Sequence, residues 1–225
     1  MDERFPDEFV TWHHKTAAGV KVDEVFGMDS KSGVVWIKLA QQIFCEQGFN
    51  YRVIDHYPNG APFMEGYPGR VSITHTKNFM AVAILPKTPE IDLESFSPRA
   101  ALGIDAEPLD RNQVIKVRDK FLSPLEQEMI PADNLQENVL AWTIKEAAYK
   151  AALTKGLDLT EDIKINTLPV LYTIPDPKIE VKFGEVEVNL KDTQWGWQPF
   201  KLFSYQSYGC CVTIAISPKA AKFGD

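Results

Sequence analysis

Two acids in the segment GIDAEP, Asp105 and Glu107, have types and spacing that suit chemistry. On an extended strand, side chains two apart leave the same face, so these carboxylates stand side by side. Like charges so placed repel one another unless a cation lies between them. Leu102 and Ile104 make the strand semi-buried, where an unpaired acid is costly. Mg²⁺ answers both problems, because it takes hard oxygen ligands and keeps positions for water and substrate phosphates. The other reading is a strand end reaching solvent with two hydrated acids, the commoner arrangement for such a pair in isolation.

An acid and a base share a second segment. AWTIKEAAYKAALTKG, residues 141–156, is rich in helix formers and closes on Gly156. Glu146 and Lys150 are four apart and share one helix face. As an exposed ion pair they would contribute only about 0.3–0.5 kcal/mol. The pair matters chemically only if Glu146 joins the two strand acids. His75 lies between Thr74 and Thr76, and hydroxyls around an imidazole can hold phosphate oxygens. A single histidine on a strand is more often structural. His13 and His14 receive no role, and no Ser-His-Asp order, nucleophile elbow or Walker loop is present.

The elements that must position these groups read as α+β. Residues 33–48 form an amphipathic helix ending at Gly48, followed by a short strand in YRVIDHY and a turn at Pro58-Asn59-Gly60. Residues 70–85 read as a hairpin around Lys77-Asn78, and the proline-rich stretch 86–100 as a linker. The spacing then predicts a strand over ALGIDAEP, a helix from Asn112 to Leu122, and a helix in SPLEQEMI capped by Ser123 with Pro124 at its first position. After the helix at 141–156, PVLYTI, KIEVKF, EVEVNL and residues 200–216 read as strands. Residues 34–49 and 142–157 share length, apolar rhythm and a closing glycine, and 71–84 and 203–216 share a strand-turn-strand layout. Two matches in the same order suggest a duplicated α+β unit, with Lys38 in the first copy where Glu146 stands in the second. The division falls between an N-terminal subdomain with linker, 1–100, and a C-terminal subdomain carrying the acids, 101–225.

The chain has 225 residues, 44% hydrophobic and 24% charged, enough for one large domain or two subdomains. No apolar run is long enough to span a bilayer, and the acidic N-terminus does not read as a secretory peptide. Cys45, Cys210 and Cys211 form neither a disulfide framework nor a metal spacing, and suit reduced core positions in the cytoplasm. A net charge of −7 argues against general nucleic-acid binding.

GIDAEP, KFLSPLEQE and WTIKEAAYKAALTKGL, in this order and spacing, resemble the signature of the 4′-phosphopantetheinyl transferases. SITHTKNFMAVAI is similar to the histidine segment upstream in the same enzymes. The resemblance is specific over residues 70–157 and continues more weakly to 216, and the length matches the long, monomeric, two-subdomain branch. It implies transfer of the phosphopantetheine arm of coenzyme A to a serine of an acyl or peptidyl carrier protein. By the motif match, Asp105, Glu107 and Glu146 would bind Mg²⁺, with Mn²⁺ as the alternative, and Glu146 would also help deprotonate the carrier serine. Lys150 would neutralise charge on the phosphates, His75 with Thr74 would contact coenzyme A phosphates, and Lys145 would play a supporting role.

The N-terminal portion departs from the family pattern. The arginine- and lysine-rich stretch of the family is replaced by scattered Lys15, Lys21 and Lys31, and its G-K-P turn by Gly60-Ala61-Pro62. Each lost charge-assisted phosphate contact costs about 1.5–3 kcal/mol. Two further readings therefore stand beside the transferase: a catalytically weak or inactive relative that binds carrier protein or coenzyme A, and a different metal-dependent enzyme acting on a phosphate anhydride. Arg111, Lys116, Arg118 and Lys120 make one stretch locally basic, suited to docking an acidic carrier or to a solvated helix face.

Overall fold

The computed structural model describes residues 10–15, 20–26, 54–58, 60–64, 69–85, 101–173, 182–191 and 195–217. Strands β1 (Val10–Lys15), β2 (Lys21–Phe26), β5 (Arg70–His75) and β6 (Phe79–Leu85) form an antiparallel sheet in the order β1-β2-β6-β5. Between them in sequence, β3 (Ile54–His56) and β4 (Pro62–Met64) make a separate two-stranded ribbon. The expected hairpin at 70–85 is present, with Lys77 and Asn78 as its turn and the Thr76 N–H donating to the Phe79 carbonyl at 2.7 Å.

A second sheet runs β7 (Leu102–Pro108), β12 (Cys210–Ile216), β11 (Gly196–Ser207), β10 (Gly184–Leu190) and β8 (Ile163–Thr167), with β9 (Leu171–Thr173) parallel to the far half of β11. In β10 the alternation is plain in the sequence: Gly184, Val186, Val188 and Leu190 are buried, while Glu185, Glu187 and Asn189 are half-exposed. Tyr208 and Gly209 close the β11–β12 hairpin with φ of 46° and 75°, the pair of positive angles that a tight two-residue hairpin turn requires. The strand β8 was not legible in the pattern.

The helices differ from expectation at their ends. The segment 112–122 is not one helix. It breaks into α1 (Gln113–Lys116) and a 3₁₀ turn at Arg118–Lys120, because Asn112 makes no side-chain cap and the β-branched Val114, Ile115 and Val117 are weak helix formers. The Arg118 guanidinium instead fixes the turn by donating to Asn138 Oδ1 at 2.7 Å and to the carbonyl of Ile130. Helix α2 (Pro124–Met129) forms as read, with a full capping box between Ser123 and Glu126. Helix α3 (Leu135–Ala152) starts six residues before the expected point, capped by Asn134, whose Oδ1 accepts the Glu137 N–H at 3.2 Å. It ends at Leu153, in the left-handed region at φ 54°, rather than running to Gly156.

The second sheet is the middle layer. One face carries Ile163, Val186, Phe200 and Leu202 against Ala141, Ile144 and Ala148 of α3. The other carries Ile104, Phe203, Val212 and Ile214 against Val22, Phe79 and Ala81 of the first sheet. Each such side chain, fully buried, contributes about 1.5–3 kcal/mol. The closest approach is at Gly103, where a Cβ would lie 2.0 Å from the Ala147 carbonyl oxygen, so α3 seats on β7 only because that residue has no side chain. The architecture is mixed and sheet-rich, in agreement with the α+β expectation. Both hairpins of the expected duplication form, but its first helix, 33–48, lies outside the described residues, as do Lys38, Cys45, the linker 86–100 and most of KIEVKF. Among the described residues no helix is long and apolar enough to cross a membrane.

Candidate active site

The two sheets meet where β5 runs beside β7, joined by side-chain hydroxyls instead of a ladder. The Ile104 N–H donates to Ser72 Oγ at 3.0 Å and the Ala106 N–H donates to Thr74 Oγ1 at 3.1 Å. Strand alternation then sorts the remaining side chains of β5. Ser72 and Thr74 point at β7, so Val71, Ile73 and His75 point the other way, and these three line a cavity of about 400 Å³ that Ser72 also borders. Thr74 and His75 are therefore divided. Thr74 is buried and donates to Asp105 Oδ1 at 3.2 Å, while His75 lines the cavity with Lys150.

On β7, Gly103, Asp105 and Glu107 share the face that meets α3. Lys150, near the end of that helix, donates to Asp105 Oδ1 at 2.7 Å and to the Ile104 carbonyl at 3.0 Å. The partner of Lys150 in the closest ion pair is thus the strand acid rather than Glu146 one turn earlier. Asp105 is 6% exposed, and its Oδ2 is buried without a hydrogen-bond partner. Burial raises the Asp105 carboxyl above the usual carboxylate range, against the pull of Lys150 and Thr74. Glu146 is raised as well, first by burial and then by the charge of Asp105. His75 is lowered by burial and by Lys150 beside it.

Glu107 is held apart from this pair. Its Oε1 accepts from the Arg111 guanidinium and from the Trp142 indole N–H, the latter at 3.2 Å. Arg111 also lies over the Trp142 ring, 5.5 Å from its centroid, and Phe121 packs edge-on against that ring at 5.1 Å. These holders of Glu107 were missed in the sequence, although Arg111 stands four residues beyond it. Lys145 has no access to the cavity. It is fully buried, with Nζ 2.7 and 2.8 Å from the two carboxylate oxygens of Glu126 and also donating to the Leu159 carbonyl at 2.8 Å. Its supporting role is to tie α3 to α2 and to the segment leading into β8.

The fit of this site to a divalent cation can be judged from the donors. Among the described residues, no three histidine, cysteine, aspartate or glutamate side chains converge as a metal cluster, and Glu107 is paired with Arg111. Asp105 and Glu146 do suit a hard cation: burial raises both, the charge of Asp105 raises Glu146 further, and one Asp105 oxygen has no hydrogen-bond partner. Chemically the site offers a carboxylate pair, a lysine and a histidine at the edge of a cavity whose wall is otherwise largely apolar.

A family model described as the 4′-phosphopantetheinyl transferase superfamily matches residues 101–211. The matched span contains Asp105, Glu107, Glu146 and Lys150, but not Thr74, His75 or the β3–β4 ribbon. A search of the curated proteins finds no match to the chain.

Proposed function

The chain belongs, through residues 101–211, to the 4′-phosphopantetheinyl transferase superfamily, and from that premise we propose that it moves the phosphopantetheine arm of coenzyme A to a serine of an acyl or peptidyl carrier protein. The observation that carries this reading is the junction itself. Asp105, with one oxygen on Lys150 and the other unpartnered, stands beside Glu146 at the edge of a cavity lined by Lys150 and His75.

Asp105 and Glu146, with Glu107 as the third carboxylate, would hold Mg²⁺ or Mn²⁺, which supplies charge neutralisation at the donor pyrophosphate. The residues of the chain do the rest. Lys150 and His75 bind the phosphates, and Lys150 stabilises the charge that develops on the leaving oxygen. Glu146, with its raised affinity for a proton, takes that of the carrier serine hydroxyl as its oxygen attacks phosphorus. The phosphorus–oxygen bond to the nucleotide breaks, and 3′,5′-adenosine bisphosphate leaves. Arg111 and Arg118 are engaged inside the protein, so Lys116 and Lys120, both exposed, are the cations left to steer an acidic carrier. A monomer in the reducing cytoplasm suits the free thiols of Cys210 and Cys211, which burial pushes up to about 12 and about 11.

The Glu107–Arg111 ion pair favours a second reading, a relative that binds carrier or coenzyme A without turnover. Intact-mass analysis separates the two. Apo acyl and peptidyl carrier proteins are incubated with this protein, coenzyme A and Mg²⁺, beside Glu146→Gln and EDTA controls. A phosphopantetheine mass gain lost in both controls is expected. Carrier binding with no gain would leave the second reading standing.

A further inference from the structure

Apolar packing holds α3 on the second sheet, but hydrophobic contact has no direction and does not by itself fix how far a helix slides or turns. Directional contacts along one face of α3 do. Ala147 lies on the bare backbone of Gly103, and Lys150, one turn on, reaches Asp105 and the Ile104 carbonyl. Thr143, one turn before Ala147, enters a set of hydroxyls on β11 and β12. Thr143, Ala147 and Lys150 follow the spacing of one helix face, and Glu146 stands among them.

The Thr143 hydroxyl has one hydrogen and two lone pairs, and all are engaged. A carbonyl only accepts, so the hydrogen goes to the Leu140 carbonyl at 2.9 Å. Such back-bonding to the preceding turn is ordinary for a helical threonine. The lone pairs tie it to the sheet. They accept from Thr213 Oγ1 at 2.8 Å and from the Cys211 thiol at 3.5 Å. Thr213, its own hydrogen engaged, accepts from Ser204 Oγ at 2.8 Å. The donors therefore run in one direction, from Ser204 through Thr213 and Thr143 to Leu140. Thr143, Thr213, Ser204 and Cys211 are all fully buried. Polar groups sealed from water are costly without partners, so this satisfied chain favours a single seating of the helix. Its sheet end lies beside the acids. Thr213 is the cross-strand partner of Asp105 and Cys211 that of Glu107, and directly opposed residues put their side chains on one face. Thr143 thus joins α3 to the neighbours of both strand carboxylates, three residues before Glu146.

We propose that Thr143 is a positioning residue: its bonds to Thr213 and Cys211 set the seating of α3 on β12 and so hold Glu146 where it meets Asp105 and the carrier serine. This rests on the transferase reading. Steady-state transfer to an apo acyl carrier protein, run well below the melting temperature, tests it together with the Mg²⁺-induced shift in that temperature. The proteins compared are wild type, Thr143→Val, Thr143→Ser and Thr213→Val. Valine keeps the shape and loses the hydroxyl, while serine keeps the hydroxyl and loses the methyl. Thr143→Val is expected to lower kcat about 10- to 100-fold with little change in KM for coenzyme A, as misplacement of a reacting group does. Its Mg²⁺ shift is expected to shrink. Thr143→Ser keeps the wild-type kcat and Mg²⁺ shift, although the missing methyl lowers its melting temperature. Thr213→Val removes the same bond from the sheet side and carries the test should Thr143→Val not fold. It is expected to lower kcat likewise, and the double variant no further. Valine variants that turn over at the wild-type rate, or a serine variant as slow as the valine one, overturn the positioning role and leave the transferase standing. A wild type that transfers nothing overturns the transferase reading and this role with it.

Discussion

Lys150 Nζ and Asp105 Oδ1 stand 2.7 Å apart, joining the end of α3 to the centre of β7 across the line where the two sheets meet. The contact aims the lysine at the cavity and leaves the second Asp105 oxygen without a hydrogen-bond partner. In the proposed transfer, a cation placed so would serve the developing charge of the phosphoryl group more than its ground state. Lys150→Met is therefore expected to lower kcat about 100- to 1,000-fold, with a smaller rise in KM for coenzyme A. Steady-state transfer to a carrier measures both. A change in KM alone would reduce the lysine to uniform binding.

The site exists only while α3 lies close on β7. Gly103 permits that approach, and the obstacle to a larger residue is backbone: Ala147 O at 2.0 Å and Ala151 N at 2.6 Å from an added Cβ. Neither atom can swing away as a side chain would. Gly103→Ala is expected to cost about 3 kcal/mol in urea denaturation, at the upper end of overpacking effects. An unchanged midpoint would mean that α3 shifts freely on the strand.

Lys145 and Glu126 form a buried pair completed by the carbonyl of Leu159 and by the Ile165 N–H, which donates to Glu126 Oε1 at 2.7 Å. Removing one partner strands the other charge away from water. Lys145→Met and Glu126→Gln are each expected to lose about 3–5 kcal/mol of stability, and the double variant less than their sum. Additive losses in a double-mutant cycle would show that the two act separately.

Much of this site was legible because local rules place it. Period two on a strand puts Asp105 and Glu107 on one face, and period 3.6 on a helix puts Glu146 and Lys150 on another. The illegible part depends on contacts between distant segments. Nothing in WTIKEAAYK says that Lys145 is sealed against Glu126 while Lys150 reaches Asp105. The break of 112–122 follows from Arg118 finding Asn138 and two carbonyls, one of them Ile130, which local propensity does not encode. Thr74 and His75 read as one phosphate-binding pair, and the strand separates them because β7 demands a hydroxyl on its own side.

Glu24 of β2 faces the second sheet, where Tyr205 and Ser207 of β11 each donate to it at 2.6 Å. It is fully buried, and burial, exceeding the effect of the two hydroxyls, raises its pKa above the usual 4.5. A raised acid binds its proton more tightly in the folded state, so its contribution is fully present below the unfolded pKa and is lost as pH rises through the folded one. Glu24→Gln, which cannot ionise, escapes that loss. Its stability relative to wild type is expected to increase as the pH rises above the usual 4.5 and through the raised folded-state pKa, in paired denaturation curves. A constant difference would mean that Glu24 titrates alike folded and unfolded.

The charge of Asp105 raises Glu146, so a cation between them removes a repulsion that the protein otherwise bears alone. Binding to the folded state shows as stability, in proportion to RT ln(1 + [L]/Kd), whether or not any transfer occurs. Millimolar Mg²⁺ is therefore expected to raise the melting temperature of the wild type and not that of Asp105→Asn. Glu107 enters through Arg111: while the guanidinium holds Oε1, that carboxylate is engaged elsewhere. Arg111→Gln frees it from all but the Trp142 indole, and the Mg²⁺-induced shift is expected to grow. A shift in wild type that is unchanged in Arg111→Gln would leave the metal with Asp105 and Glu146 alone. An equal shift in Asp105→Asn would move the cation away from this junction altogether.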